Sequence, residues 1–286
     1  MINRLGYLLA ARFLNHPIFI VGGGRSGTIA LLKAMGEHHE ILVTPSEDPF
    51  IVDIGNLAHS LEFVTERERS AYDRTLRVSM DYVRNQIRRL ALESALGPHY
   101  GLKYLLVTSL KRRTTIWRKR YWCTKTFPTE RSAQGLLRLY PGTKFIWILR
   151  NGVNVVHSRT KYHEFRDLEF SEQCKHWANS IKRFSYLFDM PEAIVVRQEE
   201  MLEDADRLFR RIFEHLSIPY DPGPAAYTST THVHPLNIRE TMIGVDVRKA
   251  LLERPPVHDE WTDEWKETFK RVCGAAMQKA NYPMPF

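Results

Sequence analysis

The sequence predicts an α/β protein in which helices flank a central parallel sheet. Short apolar runs bounded by turn formers alternate with segments of helical periodicity, an order typical of parallel strands joined by crossover helices. The 286 residues are 43% hydrophobic and 26% charged, which is an ordinary globular composition. No internal repeat, low-complexity tract or change in composition marks a linker. We therefore expect a single domain over residues 1–286.

Short runs rich in apolar and β-branched residues predict the strands. They are residues 18–21, 41–43, 103–107, 144–149 and 194–197. We expect Pro45 to end the second run, because proline cannot donate a hydrogen bond within a sheet. Glu47 is then expected in the loop that follows this strand.

Apolar residues at helical spacing predict the helices. The segments are 1–15, a helix beginning near Thr28, 56–96, 129–140, a helix after Arg150, 171–188, 205–216 and 261–280. The apolar face of 56–96 is expected to comprise Leu76, Met80, Val83, Ile87 and Leu90. We interpret residues 55–120 as a helical insertion and residues 219–286 as a C-terminal segment that wraps over the sheet.

The chain is basic, with 41 Lys and Arg against 33 Asp and Glu and a formal net charge of +8. Such an excess favours anionic partners, among them nucleotides, nucleic acids, acidic polymers and lipid head groups. Residues 111–122 form the densest basic and aromatic segment, a composition that also suits nucleic-acid binding. One such segment without a recognised module is weak evidence. We interpret it as a solvated loop or a cationic rim near an anionic substrate, and expect no nucleic-acid partner.

The cysteines and the hydropathy pattern limit the cellular compartments in which the protein is expected. Cys123, Cys174 and Cys273 are odd in number and far apart, which fits neither a disulfide framework nor a zinc site. The apolar runs are far shorter than the ~18 residues that a membrane span needs. The N-terminal segment lacks the pattern of a secretory signal, since Arg12 interrupts its apolar stretch. We expect reduced thiols, no membrane span and a cytoplasmic location.

Residues 22–28, which we call the glycine loop, read Gly-Gly-Gly-Arg-Ser-Gly-Thr between a buried strand and a helix. Glycines let backbone N–H groups turn inward, and a helix start presents unpaired N–H groups and the positive end of its dipole. Arg25 adds a fixed cation, and Ser26 and Thr28 add hydroxyl groups. The loop therefore predicts an anion site formed by Gly24, Arg25, Ser26, Gly27 and Thr28.

Two other phosphate-binding patterns fit the glycine loop in part. Gly22 and Gly27 have the spacing of the P-loop of kinases and nucleotide hydrolases, but Thr28 stands where the P-loop lysine belongs. Gly22, Gly24 and Gly27 also fit the dinucleotide fingerprint, with Glu47 twenty residues after Gly27 near the distance of a ribose-binding acid. The expected loop position of Glu47 and the arginine within the glycine loop argue against that pattern.

A second anion-binding pattern follows the apolar run 144–149. This run leads into Arg150, the chain turns at Asn151 and Gly152, and Ser158 falls on the helix after the turn. An arginine can grip a phosphate in bidentate fashion while a serine hydroxyl donates from another side. A kinase would instead be expected to place a magnesium-binding aspartate after this strand.

Together, these two patterns resemble the sulfotransferase superfamily. Residues 25–28, Arg-Ser-Gly-Thr, are similar to the family's first loop, and Arg150 followed eight residues later by Ser158 resembles its 3′-phosphate motif. Residues 123–128 and 141–145 are similar to the stretch before that motif in tyrosylprotein and related sulfotransferases, and residues 196–202 resemble the family's later strand and acidic segment. The resemblance covers residues 18 to about 216 and implies a P-loop-like sulfotransferase fold.

The resemblance also implies the chemistry. The donor is 3′-phosphoadenosine-5′-phosphosulfate (PAPS), and the product 3′-phosphoadenosine-5′-phosphate (PAP) is left after transfer to a hydroxyl or amine of a small-molecule, glycan or peptide acceptor. The resemblance implies Glu47 as the base, and it places Arg25 where many relatives have a catalytic lysine. Asp48 is the alternate base because the two carboxylates are adjacent, and Lys125 is a further candidate to assist the leaving phosphate. The reaction needs no metal, and His232 and His234 are weak candidates for metal ligands.

Three other functions stay open from the residues alone: a P-loop-like small-molecule kinase, a Rossmann-type NAD-dependent oxidoreductase, and a basic nucleotide- or RNA-binding protein.

Overall fold

The computed structural model describes residues 14, 16–61, 66–71, 74, 79–96, 119–230 and 255–286. Within these ranges, five strands form one sheet in the order β2-β3-β1-β4-β5. The strands are β1 (His16–Val21), β2 (Ile41–Glu47), β3 (Tyr121–Lys125), β4 (Lys144–Leu149) and β5 (Ala193–Arg197). The predicted class, a parallel central sheet flanked by helices, is confirmed.

The helices of the described ranges alternate with these strands. They are α1 (Thr28–Met35), α2 (Phe50–Ser60), α3 (Glu66–Ala71), α4 (Met80–Leu96), α5 (Glu130–Leu139), α6 (Gly152–Thr160), α7 (Phe170–Phe184), α8 (Gln198–Glu203), α9 (Ala205–Leu216), α10 (Gly223–Thr230) and α11 (Asp263–Lys279). Two short 3₁₀ helices span Ser185–Phe188 and Val257–Glu260. The contacts group into two compact units, Met1–Ile20 with His38–Phe145 and Val21–Glu37 with Ile146–Phe286. The assignment of residues 1–286 to one domain stays a prediction.

Strand β2 continues past Pro45 and ends at Glu47. Its parallel register with β3 shifts between Val43 and Glu47, and Glu47 is then paired with Lys125. Because β2 is an edge strand, the N–H group that proline lacks is not needed on the open side. The prediction that Pro45 ends the strand and leaves Glu47 in a loop is therefore wrong.

Strand β3 lies between β1 and β2 and is not among the predicted strands. Its first two residues, Tyr121 and Trp122, belong to the segment 111–122, for which the sequence predicts a solvated loop or a cationic rim. Trp122 and Cys123 are fully buried, and Lys119 just before the strand donates from Nζ to the carbonyl oxygens of His38 (3.0 Å) and Ile41 (2.8 Å). Lys119 and Trp122 are thus buried in the core rather than part of a solvated loop or cationic rim, while Arg120 between them is exposed. Residues 111–118 lie outside the described residues, as do the strand predicted at 103–107 and nearly all of the helix predicted at 1–15.

The helical segment predicted at 56–96 is divided in the structure. Helix α2 already begins at Phe50, and α4 is a separate helix from Met80. The buried side chains of α4 are Ile87, Ala91, Leu92 and Ala95. Leu90 is 43% exposed, so its place on the predicted apolar face is wrong. The small side chains of Ala91 and Ala95 let this face of α4 pack closely. The prediction was based on large apolar residues and therefore did not identify this face.

Helices α2 and α5 approach so closely that they meet backbone to backbone. A Cβ atom on Gly135 of α5 would overlap the carbonyl oxygen of Gly55 in α2, and a Cβ on Gly55 would overlap the carbonyl of Ser132. Helix α5 is in turn fixed at its start by a capping box, in which Thr129 Oγ1 accepts from the backbone N–H of Ser132. These contacts hold in place the segment between β3 and α5.

We expect Gly135→Ala to destabilise the protein by about 3 kcal/mol or more, because the overlapping atom is backbone and cannot rotate away. The matched control is Gly274→Ala in α11, where the nearest atom to an added Cβ is Met284 Cε at 4.0 Å. That change should be neutral or stabilising by about 0.5 kcal/mol, since alanine favours a helix over glycine. Denaturant unfolding midpoints measure both, and equal midpoints for the two variants would contradict the tight α2–α5 crossing.

The second unit is held together mainly by the packing of α11 on α7. Trp177 of α7 stacks on Phe269 of α11, with 6.3 Å between the ring centroids. Arg197 at the end of β5 donates to the carbonyl oxygens of Ala280 (3.0 Å) and Asn281 (3.2 Å), which fixes the chain after α11. Residues 231–254 lie outside the described residues, so wrapping of 219–286 over the sheet stays a prediction.

The three cysteines are buried and free of disulfides, and burial raises the pKa of the Cys123 thiol. Among the described helices, none combines the length and the apolar composition that crossing a membrane requires.

Candidate active site

The glycine loop connects β1 to α1 in a conformation that its sequence dictates. A Cβ atom on Gly22 would lie 2.8 Å from the carbonyl oxygen of Ile148 in β4, so only glycine fits there. Gly27, the N-cap residue of α1, has a φ of 89°, and Arg25 has a φ of 73° although it is not a glycine. Positive φ in a non-glycine residue is uncommon and concentrates at functional sites. The backbone thus turns sharply on both sides of Ser26.

The side chain of Arg25 joins the two predicted anion motifs. Its Nε donates to the Oγ atom of Ser158 in α6 over 3.1 Å, and its guanidinium lies 4.3 Å from the ring centroid of Tyr162. Burial lowers the pKa of Arg25, but a guanidinium stays charged at any physiological pH. The loop arginine and the motif serine, separated by 133 residues in the sequence, are therefore in direct contact.

Arg150 lies beside the same loop. Its Nη1 donates to the carbonyl oxygen of Arg25 over 3.0 Å. The turn that follows is rigid, because Asn151 Oδ1 accepts from the backbone N–H of Val153 (2.9 Å) and the Asn151 N–H donates to Glu199 Oε1 (2.9 Å). Capping of α6 by Asn151 is what directs the chain from β4 into the helix that carries Ser158.

Arg159 is a third arginine at this place, and sequence analysis missed it. It is only 5% exposed, its guanidinium lies 4.1 Å from the ring centroid of Phe165, and a Cβ on Gly24 would be 3.7 Å from its Nη1. Its Nε is buried without a hydrogen-bond partner among the described residues. Burial, and next the charge of Arg25, lower its pKa. Its position directly after Ser158 in the sequence is the signal that could have identified it as a further ligand.

The remaining loop residues lie as follows. Ser26 and Thr28 are both buried, the first within the turn and the second as the first residue of α1. Gly24 faces Arg159, and Gly27 is the N-cap residue that precedes the helix. The structure thus brings together the loop, Arg150 and Ser158 in one unit, with cationic groups concentrated around them.

Glu47 and Lys125 form a second cluster, in the other unit. Lys125 Nζ lies 2.6 Å from Glu47 Oε2, and the lysine side chain is 10% exposed against 38% for the glutamate. Lys125 also lies 4.8 Å from the ring centroid of Phe127. The register pairs Lys125 with Ile20 of β1, two residues before the glycine loop begins. The buried ammonium fixes the direction of a more accessible carboxylate.

Asp48, the alternate base, is engaged in structural contacts. One carboxylate oxygen accepts from the backbone N–H of Phe50 (3.0 Å) and the other from Ser94 Oγ of α4 (2.9 Å). Burial raises the pKa of Asp48, although both hydrogen bonds favour its charged form. The carboxylate caps the start of α2 and ties it to α4, so Glu47 is the more available of the two acids.

His157 does not join the cluster around the glycine loop. Its Nδ1 accepts from Trp261 Nε1 over 3.3 Å, and its Nε2 lies 3.8 Å from Glu260 Oε2. These contacts direct His157 to another side of α6 than Ser158, which contacts Arg25. His232 and His234 lie outside the described residues.

The strand order argues against the dinucleotide pattern. In a Rossmann sheet, β2 is adjacent to β1, and the acid at its end reaches the ribose bound at the β1 loop. Here β3 separates β2 from β1, and Glu47 is paired with Lys125. The fold, and a glycine loop that holds Arg25 but no P-loop lysine, are instead typical of an α/β protein whose loop accommodates a phosphate-type anion.

Comparison with known proteins identifies this class more closely. A family model described as the sulfotransferase family matches residues 17–222. The match spans well over half of the chain, and the chain therefore belongs to the sulfotransferase family. It is an enzyme of the class that transfers sulfuryl groups. A search of curated protein sequences finds no match.

Three solved structures to which the chain is similar are sulfotransferases. Mouse sulfotransferase SULT7A1, solved in complex with PAP, is 14% identical with a TM-score of 0.51, over 98% of this chain and 91% of that chain. A sulfotransferase domain from the curacin biosynthetic pathway is 13% identical with a TM-score of 0.49, over 95% of this chain and 99% of that one. A sulfotransferase from Alicyclobacillus acidocaldarius is 16% identical with a TM-score of 0.43, over 94% and 96%. The mouse enzyme confirms the predicted sulfotransferase fold.

Proposed function

We propose that this sulfotransferase moves the sulfuryl group of PAPS to a hydroxyl or amine of its acceptor and releases PAP. The observation that carries the proposal is the convergence of three arginines, Arg25, Arg150 and Arg159, around the glycine loop and Ser158. Like charges at close range repel, and burial adds a desolvation cost. A polyanionic ligand offsets both. The complex of mouse SULT7A1 with PAP supports the choice of nucleotide.

The donor carries two separate anionic groups, and the site offers two kinds of ligand for them. The glycine loop, with Gly24, Ser26, Gly27 and Thr28, provides backbone N–H groups and a helix start for the 5′ phosphosulfate. Arg150 and Ser158 bind the 3′ phosphate, as the family motif implies. Arg159 adds buried donors beside Gly24, and we assign it to the donor's phosphate groups as well.

The reaction is a single in-line displacement at sulfur. The acceptor oxygen or nitrogen forms a bond to sulfur while the bond from sulfur to the bridging phosphate oxygen breaks, and PAP leaves with that electron pair. Glu47 takes the acceptor proton as general base. Arg25 and Lys125 stabilise the negative charge that develops on the leaving phosphate, since preorganised cations act most strongly where charge appears.

No step of this mechanism uses a metal ion. The acceptor class stays open among small molecules, glycans and peptides, and we place the reaction in the cytoplasm. The basic character of the chain suits an acidic acceptor, although part of the net charge of +8 is matched by the donor itself.

The test is ligand-dependent thermal unfolding with PAP, ATP plus magnesium, and NAD. Saturation with PAP at a hundred times its dissociation constant should add about 2.7 kcal/mol of stability. Arg150→Ala should abolish most of this effect, whereas Arg131→Ala, an exposed arginine of α5, should leave it intact. Stabilisation by NAD or by magnesium ATP instead of PAP would favour an oxidoreductase or a kinase and contradict the proposal.

A further inference from the structure

A cleft of about 530 Å³ opens between the end of α2, the first turns of α4 and the end of α5. Three arginines line it, Arg84 and Arg88 from α4 and Arg138 from α5, and we call it the arginine cleft. Ala58 and Leu61 supply part of an apolar wall. The volume falls within the range of about 300–1,000 Å³ that small-molecule sites occupy.

Among the described residues that line the arginine cleft, arginines outnumber carboxylates. Three guanidinium groups face one carboxylate, that of Asp81, which pairs with Arg84 Nη1 at 3.1 Å. Arg88 contacts neutral groups: its Nε donates to the carbonyl oxygen of Leu139 (2.5 Å) and its Nη1 to Asn85 Oδ1 (3.2 Å). A concave surface with a surplus of cations attracts anions.

Two of the arginines make hydrogen bonds that fix part of each guanidinium, although Arg138 is exposed. Arg88 is fixed by the two contacts just described, and a guanidinium carries further N–H donors beyond those two. Arg138 Nη1 lies 2.8 Å from His59 Nδ1. Because a guanidinium only donates, the Nδ1 of His59 accepts this bond. Fixed forks of donors are suited to the oxygens of a phosphate or sulfate group.

The cleft is distinct from the place at the end of β2 where Glu47 and Asp48 lie. Helix α5 has 10 residues and is therefore about 15 Å long. Its C-terminal end lines the cleft, whereas its N-terminal end follows the segment after Lys125. Helix α4 nevertheless connects the two places, since Arg84 lies near its start and Ser94, near its end, donates to Asp48 beside Glu47.

We propose that the arginine cleft is a second oxyanion site, for a small soluble phosphate or sulfate ester whose apolar part lies against Ala58 and Leu61. The site is built entirely from residues of the first compact unit and takes its ligand independently of the donor. The proposal goes beyond the sulfuryl transfer proposed above.

The test is isothermal titration with inorganic pyrophosphate and inorganic sulfate at constant ionic strength, with PAP first added to saturation. Wild-type protein should still bind at least pyrophosphate, and the double variant Arg84→Gln/Arg138→Gln should bind it at least ~10-fold more weakly. The matched control is Arg131→Gln, an exposed arginine of α5 that donates to Ser60 Oγ outside the cleft lining. Its affinity should equal that of the wild type.

Absence of anion binding to the PAP-saturated protein would overturn the proposal. Equal affinity in the double variant, or an equal loss in Arg131→Gln, would overturn it as well, because binding would then follow net charge rather than the cleft. Thermal unfolding of each variant without ligand verifies the fold. If PAP itself does not bind, the donor assignment fails, while the comparison of the double variant with the wild type still decides the cleft.

Discussion

Replacing Glu47 with glutamine is expected to lower kcat for sulfuryl transfer at least ~100-fold while leaving the dissociation constant of PAP nearly unchanged. Glutamine has the shape of glutamate and still offers an oxygen to Lys125, which lies 2.6 Å from the carboxylate, but it cannot take a proton from the acceptor. The measurement is the rate of PAP formation from PAPS across a panel of phenols, sugars and peptides, together with PAP titration of each variant.

Two further variants make this result interpretable. Glu172→Gln removes the charge of another glutamate paired with a lysine, Lys175, on the exposed side of α7, and should leave kcat unchanged. Asp48→Asn should lower stability by about 1 kcal/mol, because asparagine can replace only one of the two accepting oxygens that Phe50 and Ser94 use. A large loss of kcat in Asp48→Asn with normal turnover in Glu47→Gln would move the base to Asp48.

The sequence could predict the glycine loop and its position between a strand and a helix because these signals are local. The glycine loop needs small residues at Gly22 and positive φ at Gly27, and both requirements are visible as glycines beside an apolar run. Arg150 and Ser158 lie only eight residues apart, on either side of one turn, so the local sequence is enough to identify them as a pair. What spacing could not supply was the contact between Arg25 and Ser158, 133 residues apart.

Failures arose where tertiary contacts override local preference. Pro45 is tolerated in β2 because the strand lies at the sheet edge, and an edge position depends on strand order rather than on the strand's own residues. β3 follows a run of basic residues, and its burial between two other strands cannot be seen in that composition. Leu90 was assigned to the core from periodicity alone, although Ala91 and Ala95 provide the closer packing.

At Arg159, we expect one substitution to weaken PAP binding without lowering the stability of the ligand-free protein. Arg159→Met should leave the free energy of unfolding without ligand unchanged or higher, because it removes a desolvated charge that lies near Arg25 and lacks a partner for its Nε. Methionine can keep the contact with the ring of Phe165. The same change should raise the dissociation constant of PAP at least ~10-fold, since a buried charge-assisted hydrogen bond is lost.

Arg210→Met is the matched control for this pair of measurements. Arg210 also stacks on an aromatic ring, that of Tyr220 at 4.0 Å, but it is exposed and pairs with Asp206. Its replacement should cost a little stability and leave PAP binding unchanged. An arginine kept for folding would show the reverse pattern at Arg159, with loss of stability and normal PAP affinity, and that result would remove Arg159 from the donor site. If instead Arg159 lowers the stability of the ligand-free protein and strengthens PAP binding, its role is to bind an anionic group of the nucleotide.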